Sequence, residues 1–233
     1  MYNLSSQQWN SEYADGKVLL IDKPLEWTSF DVVKKIRILT GISKVGHAGT
    51  LDPLATGLLI VCTGKFTKRI NEFMAAEKEY TGTFTIGAVT PTYDLESEPE
   101  QITDYSQVGI DQVNEATRPF LGEIFQVPPA HSAIKKGGTP SYILARKGKE
   151  VQLDPRKITI KEFQITHFEP PVIGFRVVCS TGTYIRSLAH DFGQVLQCGA
   201  YLSSLRRTRI GDFHVDGASS IADFTQHIQK IKP

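Results

Sequence analysis

Cysteine is scarce in this chain: three among 233 residues, at positions 62, 179 and 198, with no CxxC spacing. An odd, widely spaced set supports neither a disulfide framework nor a zinc site, so no metal is expected. No apolar run approaches the length of a bilayer, which argues against a membrane-spanning helix. The first ten residues, MYNLSSQQWN, contain neither a basic segment nor an apolar one, so no secretory leader is expected. Neither GxGxxG nor a P-loop occurs, leaving a nucleotide cofactor without support. Internal repeats and low-complexity segments are also missing. The simplest reading is a reduced, cytoplasmic protein.

What is present is ordinary in bulk and uneven in placement. Hydrophobic residues make up 40% of the chain and charged residues 22%, as in a globular protein of one large domain or two small ones. The net charge of +1 hides segregation. Residues 93–115 carry seven acids and no Lys or Arg; taking these seven from the 25 acids leaves 18 against 26 basic residues elsewhere. Residues 131–149 hold Lys135, Lys136, Arg146, Lys147 and Lys149 with no acid, and Arg206, Arg207 and Arg209 cluster near the end. Such local excess suits a polyanion partner, although solvated faces would give the same pattern.

Hydrophobic periodicity predicts strands and helices without a regular βαβ rhythm, hence an α+β fold. Residues 17–22 and 58–62 read as buried strands. Residues 28–41 read as a helix, with Thr28 and Asp31 spaced as a capping box and Gly41 as its end. Residues 65–73 read as a short basic helix, 80–89 as a strand and 111–120 as a region holding a short helix. Residues 123–127 and 131–134 read as short strands, with a turn at Gly137–Gly138 and a short helix over 141–147. Residues 157–168 read as a strand with a bulge at Lys161–Glu162. Residues 174–179 and 202–210 read as strands. Helices are expected over 183–196, with Ile185, Leu188, Ala189, Phe192 and Val195 inward, and after Ser219–Ser220.

Four residues stand out chemically. Asp52 lies in VGHAGTLDPLATGLL, read as a glycine-punctuated loop, directly before Pro53, which biases the preceding backbone to extended. Such a loop can present one rigid carboxylate, or the aspartate can simply cap a turn. Arg186 falls in the first turn of a helix, where the dipole disfavours a cation. A nearby carboxylate would explain it; a solvated arginine is the alternative. Tyr80 starts a strand and His47 sits in the loop, and packing or hydrogen bonding would account for either.

Five stretches in order, DKPLEWTSFDVV, GHAGTLDPLATGLL, KEYTGTFTIGAVTPTYD, VPPAHSAIKKGG and STGTYIRSLAHDFG, closely resemble the bacterial TruB-type tRNA pseudouridine synthases from about Lys17 to Phe213. The resemblance implies a pseudouridine synthase catalytic fold, a central mixed, mostly antiparallel sheet flanked by helices. It also implies isomerisation of the T-loop uridine, position 55 of tRNA, without metal or organic cofactor. Asp52 matches the catalytic aspartate, Tyr80 the tyrosine on the target uracil, and Arg186 the arginine paired with the aspartate. His47 matches a histidine beside the flipped base; Lys23, Tyr184 and Lys135 match further active-site or RNA-contacting positions.

The chemistry suits these residue types. Uracil must leave C1′ through N1, turn, and return through C5, after being flipped from its loop. A carboxylate can attack C1′ or stabilise an oxocarbenium-like state, or a base can open a glycal route. Glu26, His131, Thr139 and Pro140 depart from the family's usual residues at RNA-contacting stretches. The expectation is a single catalytic domain over 1–233 without a C-terminal PUA domain, with 124–152 as a mobile insertion contacting the T-arm. The partner expected is tRNA, with no membrane, no guide RNA and a monomeric state. A tRNA-folding chaperone with secondary catalysis is the competing reading.

Overall fold

The computed structural model describes residues 10–149 and 151–232. In chain order it begins with α1 (Ser11–Asp15), β1 (Val18–Lys23), α2 (Ser29–Thr40), β2 (Val45–Ala48), β3 (Ala55–Thr63), α3 (Ile70–Ala75) and β4 (Lys78–Ile86). Next come α4 (Ile110–Glu115), β5 (Gly122–Gln126), β6 (Lys135–Lys136), β7 (Thr139–Pro140) and α5 (Ser141–Ala145). The remainder is β8 (Arg156–Glu169), β9 (Val172–Cys179), α6 (Ile185–Val195), β10 (Ala200–Ile210), β11 (Phe213–His214), β12 (Ser219–Ser220) and α7 (Ile221–Ile231). Two compact units result, one of Met1–Tyr80 with Arg206–Pro233 and one of Thr81–Leu205; β4 and β10 contribute residues to both.

In the first unit the strands follow the order β12, β1, β3, β10, with β2 also on β3 and β11 on β10. β1 is antiparallel to β3, from Val18↔Cys62 to Lys23↔Gly57, and parallel to β12. Leu59 and Val61 of β3 face Ile21, Val32, Val33, Ile36, Phe224 and Ile228. Leu58, Ile60 and Cys62 face the other way, toward Ala48, Phe73 and Ile210. Burial on both faces explains why this strand is an unbroken apolar run instead of an alternating one.

α2 is set by its ends. Thr28 accepts from the Asp31 amide at 3.0 Å and Asp31 accepts from the Thr28 amide at 2.9 Å, the predicted capping box. Gly41 closes the helix in the left-handed region, φ 71°. The stretch from Val45 was expected as loop, yet Val45–Ala48 pairs with β3, placing His47 opposite Val61. Gly46 is therefore not a turn residue. A side chain there would meet Ile70 at 2.8 Å, so the glycine makes room for α3.

In the second unit the order is β10, β4, β9, β8, β5. The β8–β9 register shifts at Ile160/Glu162, the predicted bulge, and again at Ile165/His167. Its core is aromatic: Phe84 stacks on Phe175 at 4.1 Å and meets Phe192 at 5.5 Å, and Phe192 meets Phe163 at 5.5 Å. α6 buries Ile185, Leu188, Ala189 and Phe192 as its periodicity predicts, but Val195, expected on the same face, is 44% exposed in the last turn. Residues 131–134, expected as a strand, are irregular, because the Ile134 carbonyl is taken by the amide and hydroxyl of Ser141 at 2.7 and 2.8 Å. The pairing falls instead on β6 and β7, around the Gly137–Gly138 turn.

Candidate active site

Asp52 lies in the loop joining β2 to β3, half-buried, and the residues beside it are held by groups from four segments. Ser29, itself 2% exposed, accepts from the Leu51 amide at 2.9 Å and donates to the Leu51 carbonyl at 3.2 Å. The Pro53 carbonyl accepts from the Glu26 amide at 2.9 Å and from the Lys23 ammonium at 3.3 Å. The Asp52 carbonyl accepts from the Ala55 amide at 3.1 Å, closing the turn. Upstream, the Gly49 carbonyl accepts from Arg207 at 3.1 Å. A carboxylate carried on so constrained a backbone loses little entropy when it meets a substrate.

Lys23 is fully buried, and its ammonium also donates to the carbonyls of Trp27 at 2.5 Å and Pro24 at 2.9 Å. Burial pulls its pKa down to about 8; the charge of Asp52 opposes this and that of Arg207 adds to it. Lys23 is thus a cation beside the Asp52 carboxylate and a brace for the Pro53 backbone. His47, on β2, has its pKa lowered by burial and then by Arg207, so it is a neutral ring at pH 7. Tyr80, on β4, is 9% exposed.

The second unit carries Arg186, Tyr184 and Lys135. Arg186 is 6% exposed, which rules out the solvated alternative. Its Nε pairs with the Asp94 carboxylate at 3.5 Å, and its Nη atoms donate to the carbonyls of Thr92 at 3.3 Å and His131 at 3.0 Å. Tyr184 precedes α6, and its backbone is held by Gln126, which accepts from the Tyr184 amide at 2.8 Å and donates to its carbonyl at 3.0 Å. Ser187 donates to the Val127 carbonyl at 2.8 Å. Lys135 is exposed on the β6–β7 hairpin.

A family model described as the N-terminal domain of the TruB family pseudouridylate synthases matches residues 37–185, and one described as the tRNA pseudouridylate synthase B C-terminal domain matches 186–232. The chain belongs to the TruB family. It is 53% identical to tRNA pseudouridine synthase B of Flavobacterium johnsoniae, over 94% of this chain and 98% of that one. With the protein of the same name from Phocaeicola vulgatus it shares 47% identity, covering 94% and 95%. Among solved structures it is similar to a chain of a Cbf5-Nop10-Gar1 complex, with TM-score 0.73 and 30% identity over 94% of this chain and 56% of that one. A second similar chain belongs to an H/ACA RNP bound to a substrate RNA containing 2′-deoxyuridine, with TM-score 0.69 and 28% identity over 92% and 53%. The chain thus spans little more than half of those two structures. Its fold is the expected α+β pseudouridine synthase fold, a mixed, mostly antiparallel sheet with flanking helices. Among the described residues no helix is long and apolar enough to cross a membrane.

Within this TruB-family chain the first unit sets Lys23 beside Asp52, and Arg207 acts on both Lys23 and His47; the second unit places Tyr184 and Arg186 at the start of α6. Three residues of the site carry no distinctive sequence signal. Asp94, inside TPTYD, is one of seven acids in its stretch. Gln126 had no signal beyond preceding Val-Pro-Pro. For the cluster at 206–209 the sequence leaves a polyanion-facing patch and solvated faces both open, and Arg207 is neither. Arg207 is 1% exposed and donates to the Leu58 carbonyl at 2.8 Å as well as to Gly49. Arg206 grips Asp22 at 2.7 and 3.0 Å, and Arg209 pairs with Glu77 at 2.7 Å. These guanidinium groups hold strands together.

Proposed function

We propose that this protein converts uridine 55 in the tRNA T-loop to pseudouridine, with Asp52 acting at C1′. The uridine is flipped from its loop, the C1′–N1 bond breaks, and the uracil turns. The C1′–C5 bond then forms, C5 gives up its proton, and N1 gains one, so the product is an isomer of the substrate. Asp52 attacks C1′ or balances the positive charge that develops there, as carboxylates do in glycoside chemistry. Tyr80 offers a flat face to the uracil, and its oxygen takes the C5 proton as the phenol gives its own proton to solvent. Arg186 orients the carboxylate of Asp52, and neutral His47 packs beside the flipped base.

The observation that carries this reading is the restraint of the Asp52 loop by Ser29, Lys23, Glu26 and Arg207. A turn that merely capped itself would need no such bracing. For binding, the exposed Lys135, Lys136, Arg146, Lys147 and Lys149 suit the phosphates of a T-arm. In this proposal residues 124–152 are the insertion that contacts it, and the protein acts as a monomer without guide RNA.

The test is purified protein incubated with an unmodified tRNA transcript, followed by mapping of pseudouridine. Product at the T-loop uridine without added RNA or protein is expected. Folding of the tRNA without product would instead support the chaperone reading. Deuterium at C2′ separates the routes, because only removal of the C2′ proton gives a primary isotope effect.

A further inference from the structure

Arg186 and His190 are one turn apart on α6, so their side chains leave the same face. The segment Thr92–Tyr93–Asp94 lies against that face. Arg186 holds both of its ends, donating to the Thr92 carbonyl at 3.3 Å and pairing with the Asp94 carboxylate at 3.5 Å. His190 takes the middle residue: its ring stacks on Tyr93 with centroids 4.1 Å apart and planes 16° from parallel.

The backbone of Tyr93 is in the left-handed region, φ 64°. That conformation turns the chain so that a carbonyl and a carboxylate from flanking residues reach one guanidinium. It is costly for a bulky side chain and free for glycine. A tyrosine kept there is kept for its ring. Burial lowers the pKa of His190, and its Nδ1 is buried without a hydrogen-bond partner among the described residues. The imidazole is a neutral plate, used for its face. Burial, and then the charge of Asp191, raise the pKa of the Tyr93 phenol, so that ring is neutral too.

We infer that the Tyr93–His190 stack is a positioning device for Arg186: it presses the strained segment onto α6 and so fixes where the Thr92 carbonyl and the Asp94 carboxylate hold the guanidinium. Tyr93 and His190 are positioning residues, not catalytic ones. The inference rests on the proposed part of Arg186 in the reaction. The segment has other supports: Thr90 donates to the Asp94 carbonyl at 2.8 Å and the Leu202 amide to the Tyr93 carbonyl at 2.9 Å. Loss of the ring therefore loosens the grip without unfolding the loop.

Single-turnover rates, tRNA affinity and thermal unfolding of Tyr93→Phe, Tyr93→Gly, His190→Ala and His190→Phe test this. Tyr93→Phe keeps the stack and should react within about twofold of the unsubstituted protein, since only the hydroxyl is lost. Tyr93→Gly removes the ring while relieving the backbone. It should be about tenfold slower, the effect of a sub-ångström misplacement, with affinity unchanged and no fall in melting temperature. His190→Phe should recover most of the rate lost in His190→Ala. A purely structural tyrosine predicts the opposite for glycine, a normal rate, and that result would overturn the inference. Arg186→Ala serves as the control. If it is slow while Tyr93→Gly is normal, the stack alone is wrongly assigned; if Arg186→Ala is itself normal, the part of Arg186 falls and the inference falls with it.

Discussion

The buried ammonium of Lys23 donates to the carbonyl of Pro53, the residue after Asp52, at 3.3 Å. One side chain thereby ties the end of β1 to the loop that carries the carboxylate and places a cation beside it. Because burial pulls its pKa down to about 8, Lys23 also gives the fold a pH signature.

Between about pH 8 and the ordinary lysine value of about 10.4, the unfolded chain holds the Lys23 proton and the folded one has lost it. Stability from this group therefore rises with pH across that window and falls as pH drops through about 8. Urea unfolding at pH 7, 8, 9 and 10 should show the unsubstituted protein gaining on Lys23→Met as pH increases. A difference that is flat, or that shrinks, would mean that Lys23 titrates normally.

Asp52→Asn should abolish turnover and keep tRNA affinity within about tenfold, because phosphate contacts dominate binding and Asp52 is not one of them. Single-turnover assays with a filter-binding control measure both quantities. A variant that reacts at the original rate would remove Asp52 from the chemistry.

Arg186→Lys keeps the charge and loses the planar fork that reaches Asp94, Thr92 and His131 together. The single-turnover rate should fall by about 10²-fold with affinity nearly unchanged. Because the group is buried, stability should also drop, by about 1–2 kcal/mol for the unmade hydrogen bonds. A normal rate in a destabilised variant would make Arg186 structural only.

Gly57→Ala tests the packing of β3 on β10. Gly57 has φ 100°, and an added Cβ would lie 2.3 Å from the Arg207 carbonyl oxygen. The clash is with backbone, so it cannot be relieved by a rotamer change. A loss of about 2–4 kcal/mol in urea unfolding is expected. A loss below about 0.5 kcal/mol, the range of a neutral surface change, would show that the two strands can part without cost.

The features legible in the sequence were local ones. The capping box at Thr28–Asp31, the stop at Gly41 and the inward face of α6 each depend on residues within a few positions. The buried run of β3 was visible because length and composition alone specify a two-sided strand. The burial of Arg186 was not, since a carboxylate that pairs with it, Asp94, lies 92 positions earlier. The arginines at 206, 207 and 209 misled for a related reason. Strand neighbours such as Arg206 and Arg207 point to opposite faces, and each of the three guanidinium groups has a partner of its own, which the sequence does not show. In the sequence Gly46 resembles a turn residue and so suggests a loop around His47, whereas that glycine is small to admit Ile70 and His47 lies in a strand.

Gln126 treats Tyr184 as a neighbouring strand would, accepting from its amide and donating to its carbonyl with one side chain. A primary amide does both with adjacent atoms of one planar group, whatever the pH. Glutamate would meet the Tyr184 carbonyl with a second acceptor, and lysine would meet its amide with a second donor. Asparagine has the chemistry but is one methylene short. The position therefore admits a very small alphabet, and the link between the chain entering the basic segment and the first turn of α6 is guarded by complementarity, not by charge.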